Sequence, residues 1–186
     1  MFRLLIILFL LIAFSASLQA ATTTTQPGTI TLAGGVLSVT SSGDISFPPV
    51  LLDGEDHQIT AQSAPTFTLT DASGSGNGWN VTFQSTDFAA GAGKTIPASS
   101  FFFTPSGGTI VRITGQNTDP SGGPRETASG PVSLDTAKKI LTTSAKYGMG
   151  KYYYSALPLN FILNVDASTM AGSYTATVNA TISTGP

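Results

Sequence analysis

The side chains best suited to chemistry gather in one place: Asp53, Glu55, Asp56 and His57, within DGEDHQ. His57 is the sole histidine, so a Ser–His–Asp arrangement would have to use it. No Gly-x-Ser-x-Gly elbow exists to present a nucleophile to it. Asp53, Glu55 and Asp56, beside His57, make a weak oxygen-rich Ca²⁺ site conceivable, but the spacing of a twelve-residue ligand loop is missing. A solvated acidic turn accounts for them. The other carboxylates sit mostly in turn contexts, and none forms a pair singled out for glycoside hydrolysis. GSGNG, residues 74–78, lacks a Gly-Lys-Ser/Thr ending and runs into a strand rather than a helix, so it is no phosphate loop. Cysteine is absent, which removes thiol chemistry, Cys–metal sites and disulfides together. The sequence therefore nominates no catalytic residue, no metal ligand and no cofactor site.

One residue still asks for an explanation. Trp79 is the only tryptophan, placed where the flexible stretch ASGSGNG gives way to WNVTFQSTDF. Alternation puts Trp79, Val81 and Phe83 on one face and Asn80, Thr82 and Gln84 on the other. The indole is either the plug of a β-sandwich core, the preferred reading, or a platform stacking on a sugar face.

The elements that must position these residues read as strands. Thr, Ser, Gly and Ala dominate and charge is scarce, a composition that favours half-exposed pleated surfaces. Period-two alternation predicts strands at 29–33, 36–40 and 44–47, a fragment at Val50–Leu52, and further strands in QITAQ, PTFTLTD and TIVRITG. Prolines on both sides predict an edge strand at Phe101–Phe103. QNTDPSGGPRETASGP reads as a long solvent-facing loop. A helix around Leu134–Leu141 is the alternative to strands at 131–134 and 139–146. LPLNFILNVDAST and GSYTATVNATIST predict two long strands joined by MAG as a hairpin. No repeat of 20–50 residues is present. The expectation is one antiparallel, Ig-like β-sandwich.

At the N-terminus Arg3 precedes an apolar run from Leu4 to Phe14, 11 residues against the roughly 20 a membrane span needs. Small and polar residues follow, which predicts a signal peptide over 1–20 and a secreted protein; the alternative is an uncleaved anchor. Without Arg3 the balance is 7 basic to 10 acidic residues, the wrong sign for nucleic acid. Asn80 and Asn179 open Asn-x-Thr sequons, both in predicted strands.

Two elements together resemble the WxL domain of bacterial surface proteins. The first is Trp79-Asn80-Val81 behind LTDASGSGNG, with Val81 in the place of Leu. The second is YTATVNATISTGP, where Tyr174, Val178, Ile182 and Pro186 keep the family's spacing. Asn179 and Ala180 stand where the family has Thr-Trp, so the distal motif has diverged. The resemblance covers residues 48–186, following an extended or β segment at 21–47. It implies non-covalent attachment to the cell wall, with peptidoglycan as ligand, and display beside other surface proteins. A Thr-rich leader, ATTTTQPGTITLAGG, raises a second possibility, a surface assembly built by strand exchange. In the first picture the Trp79 ribbon and the C-terminal ribbon pack as facing layers, with Phe161 filling the volume lost at Ala180.

Overall fold

The computed structural model describes residues 27–127 and 130–186, so the leader predicted over 1–20 lies outside the described residues. In chain order the strands are β1 (Leu37–Ser42), β2 (His57–Thr60), β3 (Thr66–Asp71), β4 (Trp79–Ser85), β5 (Phe88–Ala90) and β6 (Lys94–Ile96). They continue with β7 (Phe101–Phe103), β8 (Thr109–Gly115), β9 (Arg125–Glu126) and β10 (Val132–Ser133). The last four are β11 (Lys138–Thr142), β12 (Gly150–Ser155), β13 (Phe161–Val165) and β14 (Val178–Thr184). One sheet runs β1-β3-β12-β8, a second β10-β7-β13-β2 and a third β14-β4-β11-β9, with β5-β6 as a separate ribbon. Every pairing is antiparallel. The protein is an all-β sandwich, as the alternation and turn spacing predict. All of the described strands lie in the unit Ala33–Pro186.

Alternation sets which side chains go inward. In β4 Trp79, Val81, Phe83 and Ser85 are buried while Asn80, Thr82 and Gln84 are not. In β12 Tyr152 and Tyr154 are buried and Tyr153 faces water. The inward rings meet across sheets. Phe67 of β3 lies 4.7 Å from Phe83 of β4, and Phe83 lies 5.4 Å from Phe103 of β7. Phe103 in turn packs 4.7 Å from Phe161 of β13. Each such pair contributes about 0.5–1.5 kcal/mol beyond the area it buries. In a chain without cysteine, this aromatic core carries the cross-linking that disulfides supply elsewhere.

Several sequence expectations need correction. Residues 29–33 form no strand, 44–47 contribute only a bridge between Ser46 and Ser63, and Val50–Leu52 is irregular. Phe101–Phe103 is not an edge: β10 and β13 flank it. Its prolines, Pro97 and Pro105, fall outside the strand and so cost it no ladder hydrogen bond. The preferred strands at 131–134 and 139–146, by contrast, correspond to β10 and β11, and the alternative helix at Leu134–Leu141 does not form. The loop at 116–131 is only partly solvent-facing. Asp119 accepts hydrogen bonds from Ser121 N (2.7 Å) and Gly122 N (2.9 Å), Gly122 to Pro124 are buried, and β9 pairs with β11. Finally, β13 and β14 form no hairpin, since they belong to different sheets.

The buried Tyr154 hydroxyl donates to Glu126 Oε1 (2.9 Å), which also accepts from Gly108 N (3.1 Å). Burial raises the Tyr154 pKa far above its ordinary value, and the adjacent Glu126 carboxylate raises it further. With the folded value above the unfolded one, this contribution is complete below about pH 10 and declines as pH rises beyond it. Urea unfolding at about pH 8 and about pH 11 is expected to show a larger alkaline loss of stability in the wild type than in Tyr154→Phe.

Candidate functional site

Trp79 opens β4 in a closed socket. The side chain has no solvent exposure. Its Nε1–H donates to the carbonyl of Gly148 (3.0 Å), its backbone N–H donates to Thr143 Oγ1 (2.8 Å), and its ring centroid lies 6.4 Å from that of Tyr152. Two glycines shape this socket. Gly148 has φ +82°, and a Cβ there would stand 2.6 Å from Trp79 Nε1. Gly78, at φ +71°, passes so close to the 143–144 backbone that a Cβ would meet Ser144 O at 2.7 Å. Both positions demand a residue that tolerates the left-handed region and has no side chain. The stretch predicted as flexible is also anchored at its start, where Asp71 Oδ1 accepts from Ser73 N (3.0 Å) and Ser73 Oγ (2.7 Å).

The second motif element lies beside the first rather than over it. The strand β14 pairs with β4 in one sheet, with Thr184 opposite Trp79, Ile182 opposite Val81, Ala180 opposite Phe83 and Val178 opposite Ser85. The expected facing layers are therefore neighbours in a ladder, and the layer facing β4 is β3 and β12, through Phe67 and Tyr152. Asn80 Nδ2 donates to Gly185 O (2.9 Å), and Gly185 N donates to Gly78 O (3.0 Å), which pins the ribbon's far end. Its near end is pinned by reciprocal Thr175–Ala89 backbone bonds of 2.8 and 3.0 Å. Tyr174, Val178, Ala180 and Ile182 are half-buried against the core, whereas Pro186 is exposed. Ala180 stands next to Phe83 in the register, and Phe161 packs instead on Phe101 and Phe103.

The Asp53–His57 turn is held by its own hydrogen bonds. Asp53 Oδ1 accepts from Glu55 N (3.1 Å) and contacts His57 Nε2 at 2.9 Å. The Glu55 amide, and then His57, lower the pKa of this exposed carboxylate. Asp56 Oδ1 turns to Ala167 N (2.8 Å). Of the two sequon residues, Asn179 is exposed and Asn80 is spent on Gly185.

One concave feature of the described surface was not visible in the sequence. A cleft of about 1110 Å³ opens between the 43–52 segment and the 169–178 segment. Its floor is apolar, including Phe67, Phe88, Phe101 and Leu163, and its rim carries Asp44, Ser46, Thr169 and Ser173. Tyr174 and Val178 of the distal motif line it, and Tyr174 Oη donates to Met170 O (2.6 Å), fixing that wall. Alternation in both wall segments predicts strands, at 44–47, Val50–Leu52 and from Gly172 onward, whereas the backbone there is largely irregular up to Val178.

The fold and the two linked motif elements define a β-sandwich module. The sequence model of the family described as WxL domain surface cell wall-binding matches residues 19–186, and the chain belongs to that family. No curated protein and no solved structure matches it significantly. Membership places the chain at the cell surface, in association with the wall.

Because Trp79 is the only indole, its fluorescence reports this socket directly. The folded protein is expected to emit at blue-shifted wavelengths that move red on unfolding, and Trp79→Ala to cost about 3–5 kcal/mol in urea titrations. Gly148→Ala is expected to cost about 1–3 kcal/mol and to disturb the same emission, since it forces both backbone strain and a clash with the indole.

Proposed function

We propose that the chain is a secreted, non-enzymatic surface protein that attaches non-covalently to wall glycan, with peptidoglycan as its ligand. Other surface proteins are its neighbours in this reading. The observation that carries it is the family match over residues 19–186, together with a cleft built on the distal motif. Since Trp79 is enclosed, glycan contact falls to the cleft. Sugar rings present apolar faces and a fringe of hydroxyls, and an apolar floor under a rim of Ser, Thr and Asp suits both. The apolar N-terminal run, short for a span, supports export as the route to the wall.

Isolated cell walls pelleted with the purified protein provide the test. Wild type is expected in the pellet at low and moderate salt. Leu51→Arg with Met170→Arg, two exposed residues on the cleft rim, is expected to weaken retention by about tenfold, or about 1.4 kcal/mol. Wild type wholly in the supernatant would end the wall-attachment reading; equal retention of the rim variant would move the site elsewhere on the surface.

A further inference from the structure

The chain carries one long open sheet edge. In the sheet β1-β3-β12-β8, the outer strand β8 pairs only with β12, and six of its seven residues are exposed. Val111 and Ile113 are 50% and 39% exposed, beside an exposed Tyr153 in the register. The other sheet edges differ. β2, β9 and β10 are two to four residues long, and β1 and β14 lie close to one another. Proteins usually blunt such an edge with Lys, Pro or a covering segment. Between Thr109 and Gly115 there is no Lys or Pro, and the only irregularity is a register shift opposite Lys151 and Tyr152.

The chain also carries a strand pattern without a strand. Residues 28–34, GTITLAG, alternate as a half-buried strand would, yet none is in a strand, and Ile30 and Leu32 are 81% and 84% exposed. The ladder of β1 and β3 begins just beyond, where Gly35 N donates to Ala72 O (2.7 Å).

We propose that β8 accepts residues 28–34 of a second copy of this chain as an added strand. Both partners are seven residues long, which gives a ladder of about 23 Å. Backbone hydrogen bonds supply the affinity, and Ile30 and Leu32 cover Val111 and Ile113. Charge favours this occupant: residues 21–43 contain no ionisable side chain and β8 contains only Arg112, so two copies meet without repulsion. Reciprocal exchange forms two ladders in a closed dimer, doubling the contact toward the roughly 1,200 Å² of a specific interface. Exchange in one direction continues as a filament. This goes beyond wall attachment and stands independently of it.

The absence of cysteine gives a clean test without any wall material. The full chain, expressed with its leader and recovered after export, is expected to show by light scattering a mass that rises with concentration to a dimer or larger. Ile30→Asp with Leu32→Asp is expected to weaken that assembly at least about tenfold, with circular dichroism unchanged because both side chains are exposed. Mixing Leu32→Cys protein with Val111→Cys protein under mild oxidation is expected to give mixed disulfide dimers in excess of either homodimer. A monomeric wild type at all concentrations overturns the proposal, as does assembly indifferent to the Asp pair. A Leu32→Cys/Val111→Cys double variant that closes only within single chains also overturns it, by making the occupant the chain's own segment.

Discussion

The contact between Phe83 and its two ring neighbours is the constraint on which the rest of the structure rests. β4 brings Phe83 inward from the third sheet, β3 brings Phe67 from the first and β7 brings Phe103 from the second. Three sheets thus converge on one side chain. With neither disulfides nor a described metal cluster to cross-link them, the sheets stay together because these rings exclude water jointly. The threonine-rich outer faces satisfy solvent with hydroxyls while contributing little to cohesion. The low charge of the chain leaves surface ion pairs a minor role, and the described pairs, His57–Asp53 and Lys138–Asp135, are local and exposed.

Seen from that centre, the two family motif elements act as a fastening. The indole fills a socket whose floor is the Gly148 carbonyl, and the C-terminal ribbon is laced along β4 from Val178 to Thr184, with Thr175 bonded to Ala89 of β5. Ala180, although small, keeps this lacing intact, because the ladder depends on backbone groups and Ala180 abuts Phe83. The size of the side chain at that position therefore sets the volume beside the ring more than the pairing. The ribbon's other service is to the surface: its first turn, held by Tyr174, forms one wall of the cleft.

How much of this could be read in advance follows from what alternation encodes. Period two tells which side chains share a face, so the inward sets Trp79–Val81–Phe83 and Tyr174–Val178–Ile182 were legible. It says nothing of which strands are neighbours. The two ribbons accordingly looked like facing layers and proved to be adjacent strands. Phe101–Phe103 looked peripheral because of flanking prolines that in fact stand clear of its ladder. The segment at 29–33 has the pattern of a strand without a partner, and pattern alone cannot reveal that. Gly148 and Thr143, which hold the indole, were invisible because a socket made of a carbonyl and a hydroxyl leaves no periodic trace. The cleft walls at 43–52 and 169–177 alternate like strands but are largely irregular backbone, so periodicity there pointed to ladders rather than to a cleft.

The pairing of β4 has a consequence in time. Its neighbours β11 and β14 follow it by tens of residues and by about a hundred, so Trp79 meets Thr143 on one side and waits for Thr184 on the other. Loops that long must close before the central ring cluster gains its full reward. A nascent chain therefore lacks a completed core until nearly all of it has been synthesised. Late closure of this kind makes the C-terminal ribbon the latch of the fold, because β4 keeps one open side until Val178–Thr184 pairs with it.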